Sequence, residues 1–473
     1  VKILSLLFYW FHASPCIVVL LITVGPEMQL PELFVERMKA MLGADYADFE
    51  QALQSPPPVS VRVNNKLENY KPSECRVPWC DTGYYLEERP LFTADPLLHA
   101  GVYYVQEASS MFLKHIAKAF LSQAENVLDL CAAPGGKSTL LLESLPDHTL
   151  LVSNEIIRSR AQILAENITK WGNSNVVVTN NAPKDFRQFP GFFDAVLVDA
   201  PCSGEGMFRK DAGAIKEWSM QNVQNCAIRQ KSILQDVWGS LKDSGLLIYS
   251  TCTYNREENE EQIAWICGEL GAEHLKIDIS DFDGIVESDL GYRFYPHKVQ
   301  GEGLFMAVLR KNDSGKYTPG LRTNKVLKES KIIDRSKLYS NQILNSERFE
   351  IIELQNQIHA IPKSHPDVYL GFRHRLNCLL NGVLIADTKG KDHIPAHQFA
   401  LSKIINSRQF SSFEVDYDTA ISYLKRDNIL LPYTTQRSYV LIRYKQQVLG
   451  WVKHLGNRTN NMYPQHWRIK MRL

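Results

Sequence analysis

The 473-residue chain predicts an α/β fold: a mainly parallel sheet with helices on both faces, flanked by a smaller domain at each end. Three observations predict it. Between Tyr103 and Arg310, short, nearly continuous apolar runs alternate with helix-spaced segments, the pattern of parallel strands buried on both faces. The first of these runs leads directly into a glycine-rich turn and a helix. At the far end, from Ile421 to Leu473, ten Lys/Arg face one Asp in a chain whose overall net charge is only +1. The basic charge is therefore gathered in one terminal module, which suits docking to phosphate.

Taken in order, residues 1–27 form an apolar extension broken by His12, Ser14 and Pro15. The expectation is that the functional chain starts at Met28 and that no membrane is involved. Helical spacing of Leu33, Phe34, Met38, Met41 and Leu42 predicts a helix from Leu30 to about Leu53. Three prolines at 56–58 end it. Val59–Val63 alternates like a strand and Asn64-Asn65 turns it, so residues 28–100 form an α+β domain. The core is expected over 101–311, with strands at 126–130, 149–153, 175–179, 193–199 and 245–250. A polar linker follows at 312–340, then an intermediate domain at 341–410 and a strand-rich module at 411–473.

The composition, 44% hydrophobic and 22% charged, is that of an ordinary globular protein of two to four domains. Nine cysteines, none in Cys-x-x-Cys spacing, exclude a zinc ribbon and argue against a disulfide framework. Free thiols in a reducing cytoplasm are the expectation, and nothing points away from a monomer.

Four short segments carry chemistry. Cys131, Ala132, Ala133, Pro134, Gly135, Gly136 and Lys137 form a turn between a strand and a helix, where glycine admits a ligand and helix amides meet an anion. A phosphate-binding P-loop needs glycine where Cys131 stands, and the dinucleotide pattern Gly-x-Gly-x-x-Gly is absent. Glu155 ends the next strand, where a carboxylate accepts from both ribose hydroxyls of a nucleoside cofactor, S-adenosylmethionine (SAM) as well as NAD. Asp199-Ala-Pro-Cys202 and Ser250-Thr-Cys252 follow later strands and bring two thiols to the same rim. A thiolate that adds to carbon 6 of cytosine makes carbon 5 nucleophilic, and Asp199 is placed to bond ring nitrogen 3. Spacing alone does not say which cysteine attacks.

Together these motifs, with Tyr104–Met111, Pro78-Trp79-Cys80 and Leu449–Arg458, resemble the Sun/Nop family of RNA 5-methylcytosine methyltransferases, in particular its bacterial type F branch acting on small-subunit (16S) ribosomal RNA. The resemblance implies a Rossmann-like SAM methyltransferase core, an N-terminal RNA-binding domain and a C-terminal PUA-like RNA-binding module. It implies Cys252 as nucleophile, Cys202 in product release, SAM held by residues 131–137 and Glu155, and Asp199 between cofactor and base. The family's acidic residue after the third strand is replaced, Asn181 standing at or beside it, with its amide oxygen free to accept from adenine. In the last module, Tyr444, Lys445, Trp451, Lys453 and Arg458 suit backbone contact and stacking. A tRNA substrate, or a non-catalytic ribosome-assembly role, are the alternatives.

Overall fold

The computed structural model describes residues 29–313, 333–431 and 438–471. The expectation for residues 1–27 lies outside them. The first helical stretch is two helices, Glu32–Leu42 and Tyr46–Gln54, separated by a turn at Gly43. Their apolar face holds Phe34, Met38, Met41 and Leu42 as predicted, whereas Leu33 is exposed. Phe34, Met38, Phe49 and Leu53 pack on Phe208, Trp218 and Tyr254 of the core, with Phe34 and Phe208 ring centroids 4.9 Å apart.

A four-stranded sheet follows: β1 (Val59–Val63), β2 (Arg76–Val77), β3 (Cys80–Leu86) and β4 (Tyr103–Val105), in the order β2-β3-β1-β4. β4 lies beyond the expected boundary at residue 100 yet completes this sheet. Within β1, Ser60 and Arg62 lie on the face opposite Val61. Both are buried, because that face packs on the core domain. Arg62, 0% exposed, stacks over Trp171 at 4.3 Å, bonds Thr139 Oγ1 at 2.5 Å and pairs with Glu143.

The core sheet contains β5 (Asn126–Asp129), β6 (Leu150–Asn154), β7 (Val176–Thr179), β8 (Phe193–Asp199), β9 (Leu241–Thr251), β10 (Ala272–Leu275), β11 (Val286–Ser288), β12 (Gly291–Phe294) and β13 (Leu304–Lys311). The run β7-β6-β5-β8-β9 is parallel, and β13, β12 and β11 continue it antiparallel. Strand order reverses at β5, so a crevice opens at the carboxyl ends of β5, β6 and β8. Apolar clusters fill both faces, as the continuous apolar runs require.

Much of the expected linker, 314–332, is outside the described residues, but its end is structured: β14 (Ile333–Asp334) and a turn of helix, Ser336–Tyr339. β15 (Phe349–Leu354), β16 (Gln357–Pro362), β17 (Cys378–Asn381), β18 (Val383–Lys389) and β19 (Asp392–Pro395) follow. Four of these strands join β14 in a five-stranded sheet. β17 departs and pairs antiparallel with β7, closing that edge of the core sheet. The last sheet is β20 (Ser412–Glu414), β21 (Ser438–Tyr444), β22 (Gln447–His454) and β23 (Thr459–Asn461). Among the described residues, no helix is long and apolar enough to cross a membrane. Among the described residues, seven cysteines are free thiols.

Candidate active site

The loop after β5 is held from three sides. Ala132 N donates to Asn154 O at 2.8 Å, fixing the loop to β6. From the helix Arg158–Trp171, Arg160 reaches Ala133 O at 2.8 Å and Asn167 reaches Pro134 O at 2.8 Å. Gly135 has φ 114°, and a side chain there would also press on Leu164. The helix Gly136–Ser144 then begins, and its first-turn amides have no intrahelical acceptor. Cys131 is packed at the root of the loop, and burial pushes its thiol up.

Glu155, 3% exposed, sits at the carboxyl end of β6. Its Oε1 accepts from Ile157 N at 2.9 Å, and its Oε2 lies 3.3 Å from Arg160 Nη1. Arg160 therefore links the two halves of the crevice, a role not read from the sequence. Asn181 is held by two side-chain bonds. Its amide oxygen accepts from Asn377 N at 3.0 Å and its Nδ2 donates to Asp185 at 3.1 Å, so the oxygen is already engaged by the segment leading into β17.

Lys137 points across the crevice to Asp199, with Nζ 2.8 Å from Oδ2, and Ser250 Oγ donates to Asp199 Oδ1 at 2.7 Å. Burial opposes the Lys137 charge, but Asp199 overcomes this and raises the ammonium above its ordinary range. Below the loop, Asp129 is fully buried and accepts from Ser138 Oγ at 2.6 Å. Burial raises its carboxyl to about 7.

Cys202 and Cys252 meet: their Sγ atoms are 3.1 Å apart. The hydrogen bond to Cys252 and burial push the Cys202 thiol well above its ordinary range. Two carboxylates stitch the cysteine loops together. Glu205 accepts from Thr253 Oγ1 at 2.7 Å, Tyr254 N at 2.8 Å, Asn255 N at 3.0 Å and Trp218 Nε1 at 2.9 Å. Glu258 accepts from Ser203 N at 3.0 Å, Asn255 Nδ2 at 2.7 Å and Gln230 Nε2 at 2.7 Å. Gly206 N reaches Cys252 O at 2.8 Å, and a Cβ at Gly206 would sit 2.5 Å from Gly303 O, so only glycine fits. Glu205, Glu258 and Asn255 were missed by sequence reasoning. The signal available was their position within three to six residues of a cysteine.

Of the residues expected to touch RNA in the last module, Lys445, Lys453 and Arg458 are exposed. Trp451 is not a stacking platform. It is 0% exposed, and its Nε1 donates to Ala396 O at 3.0 Å.

This parallel sheet, with its loops at the carboxyl edge, is the Rossmann-like methyltransferase fold. Residues 119–310 match the family model of the 16S rRNA methyltransferase RsmB/F. Residues 30–108 match the N-terminal domain of 16S rRNA methyltransferase RsmF, and residues 410–469 the methyltransferase RsmF PUA domain. Ribosomal RNA small subunit methyltransferase F of Vibrio cholerae is 31% identical, the alignment covering 93% of this chain and 98% of that one. The protein of the same description from Cronobacter sakazakii is 30% identical over 92% of this chain and 96% of its own. Among solved structures, a methyltransferase homolog from Pyrococcus horikoshii aligns with TM-score 0.52 and 26% identity over 60% of this chain and 96% of its own. NSun6 of the same organism, solved with SFG, shares the fold at TM-score 0.50 and 20% identity over 59% and 98%. The chain belongs to the family of ribosomal RNA small subunit methyltransferase F, with an N-terminal domain of that type and a C-terminal PUA domain.

Proposed function

We propose that the protein methylates carbon 5 of a cytosine in 16S rRNA of the small subunit, using SAM and a covalent Cys252–cytosine intermediate. The observation that carries this is the pair of thiols 3.1 Å apart beside the Lys137–Asp199 pair. A non-covalent methyltransferase has no use for two cysteines there.

The residues fit SAM. Unpaired amides at the start of the Gly136–Ser144 helix suit its carboxylate, and buried Glu155 suits a ribose diol. When bound, it supplies an electrophilic methyl group to carbon 5. Residues 131–137 and Glu155 would position it, and Asn181, whose amide oxygen keeps one lone pair beside the bond from Asn377 N, would accept from its adenine.

Cys252 adds through sulfur to carbon 6, and the electron pair of the 5,6 double bond then resides on carbon 5. Asp199, oriented by Lys137 and Ser250, accepts from ring nitrogen 3 once that nitrogen takes up a proton, which stabilises the ring as carbon 5 gains electron density. After methylation, loss of the carbon-5 proton re-forms the double bond and breaks the carbon–sulfur bond, returning Cys252 as thiolate. The high pKa of Cys202 keeps it a protonated donor beside that sulfur, in line with a part in release. The target base must leave its stack to reach the crevice, at a cost of roughly a few kcal/mol. The N-terminal and PUA domains supply the contacts that offset it. In this reading the protein acts as a monomer in the cytoplasm.

The test is methyl transfer from SAM to deproteinised 16S rRNA and to assembled small subunits, with product nucleosides separated by mass. One 5-methylcytidine per RNA supports the reading. Methyl groups on another base, or on tRNA alone, overturn it.

A further inference from the structure

We infer that the cavity between the five-stranded middle sheet and the PUA-domain sheet is a binding site for one unpaired nucleobase of the RNA. This rests on the reading that RNA is the substrate. The cavity measures about 400 Å³ and lies on elements that the reaction does not use. That volume falls within the range typical of ligand sites.

Its lining has the chemistry of base recognition. Ring faces come from Tyr339, His393, Phe410 and Tyr439. Tyr339 and His393 are stacked, ring centroids 5.9 Å apart and 21° from coplanar, and the Tyr339 hydroxyl and His393 Nδ1 are hydrogen-bonded at 2.7 Å. That bond presets the two rings without a ligand. Edge-reading groups come from the side-chain amides of Gln342 and Gln409, each able to donate and accept, and from Ser411 and Ser438. Among the described residues, no carboxylate lines the cavity. At its rim, Lys453 Nζ sits 5.4 Å from the Tyr439 ring centroid, within reach of the phosphate attached to a base stacked there. Proteins read unpaired RNA bases by this combination of aromatic stacking, edge hydrogen bonds and a nearby cation. A base held here lies outside the methyl-transfer crevice, so the site sets register, not chemistry.

The experiment uses the full chain and a single-stranded hexanucleotide RNA carrying the fluorescent base 2-aminopurine at one position. Stacking quenches its emission. Quenching is expected on binding and is expected to be lost in Tyr439→Leu, with affinity about tenfold weaker. Gln409→Ala, an exposed change, keeps the fold and is expected to weaken binding several-fold. In parallel, 16S rRNA binding of each variant is followed by filter retention. If the variants quench like the unaltered protein while 16S rRNA is still retained, the cavity is not a base site, although RNA remains the substrate. If the unaltered protein retains no RNA, both readings fall.

Discussion

Lys137 Nζ lies 2.8 Å from Asp199 Oδ2, so the lysine that ends the glycine-rich loop spans the crevice to the acid after β8. The loop and the cysteine rim are thus one device. Lys137→Met leaves the loop's backbone amides in place but frees Asp199. The expected outcome is kcat lower by roughly a hundredfold or more, with SAM affinity changed far less. Steady-state kinetics with calorimetry decides. A raised KM at normal kcat would make Lys137 a binding residue only.

Arg160 bonds both Ala133 O and Glu155. Arg160→Ala is expected to weaken SAM binding by a few-fold, in keeping with about 1 kcal/mol for a half-exposed ion pair. Turnover at saturating SAM should be near normal. Calorimetric titration of SAM reads this, and unchanged affinity removes Arg160 from the site.

Glu205 holds the Cys252 loop through Thr253 Oγ1, Tyr254 N and Asn255 N, and also accepts from Trp218 Nε1. Glu205→Ala leaves buried donors unpaired at about 1–3 kcal/mol each, so a fall in melting temperature of about ten degrees or more is expected, with kcat falling more than SAM affinity. Thermal melts beside kinetics check it. Normal kcat in a destabilised variant would make the carboxylate purely structural.

That the two cysteines, Asp199 and the glycine-rich loop share one crevice was legible in the sequence, and the supports around them were not. Residues 131–137, Glu155, Cys202 and Cys252 stand at strand ends, where type and spacing imply chemistry. Glu205 and Glu258 read as solvated acids, since nothing local shows that Trp218, Gln230 and Asn255 will reach them. The hold on Asn181 was not legible, because its partner, Asn377, lies 196 positions away on the approach to β17. Edge pairing of that kind leaves no periodic trace. Trp451, expected to stack on RNA, fails for a related reason. Alternation tells which residues share a face, but not whether a second domain covers it.

Charge on the last module predicts salt dependence. Replacing Lys445, Lys453 and Arg458 with Gln should weaken RNA binding and flatten its logarithmic salt slope by roughly 2, without altering SAM binding. Filter binding from 50 to 200 mM salt measures this. An unchanged slope would place the RNA elsewhere.

The central claim is that Cys252 bonds the RNA base while Cys202 serves its release. The most direct measurement is covalent trapping of Cys202→Ala expressed in cells, read as a slow, nuclease-sensitive band on a denaturing gel. The account predicts that band, and its disappearance in Cys202→Ala/Cys252→Ala. A band that persists in the double variant, or one that forms in Cys252→Ala alone, would contradict it.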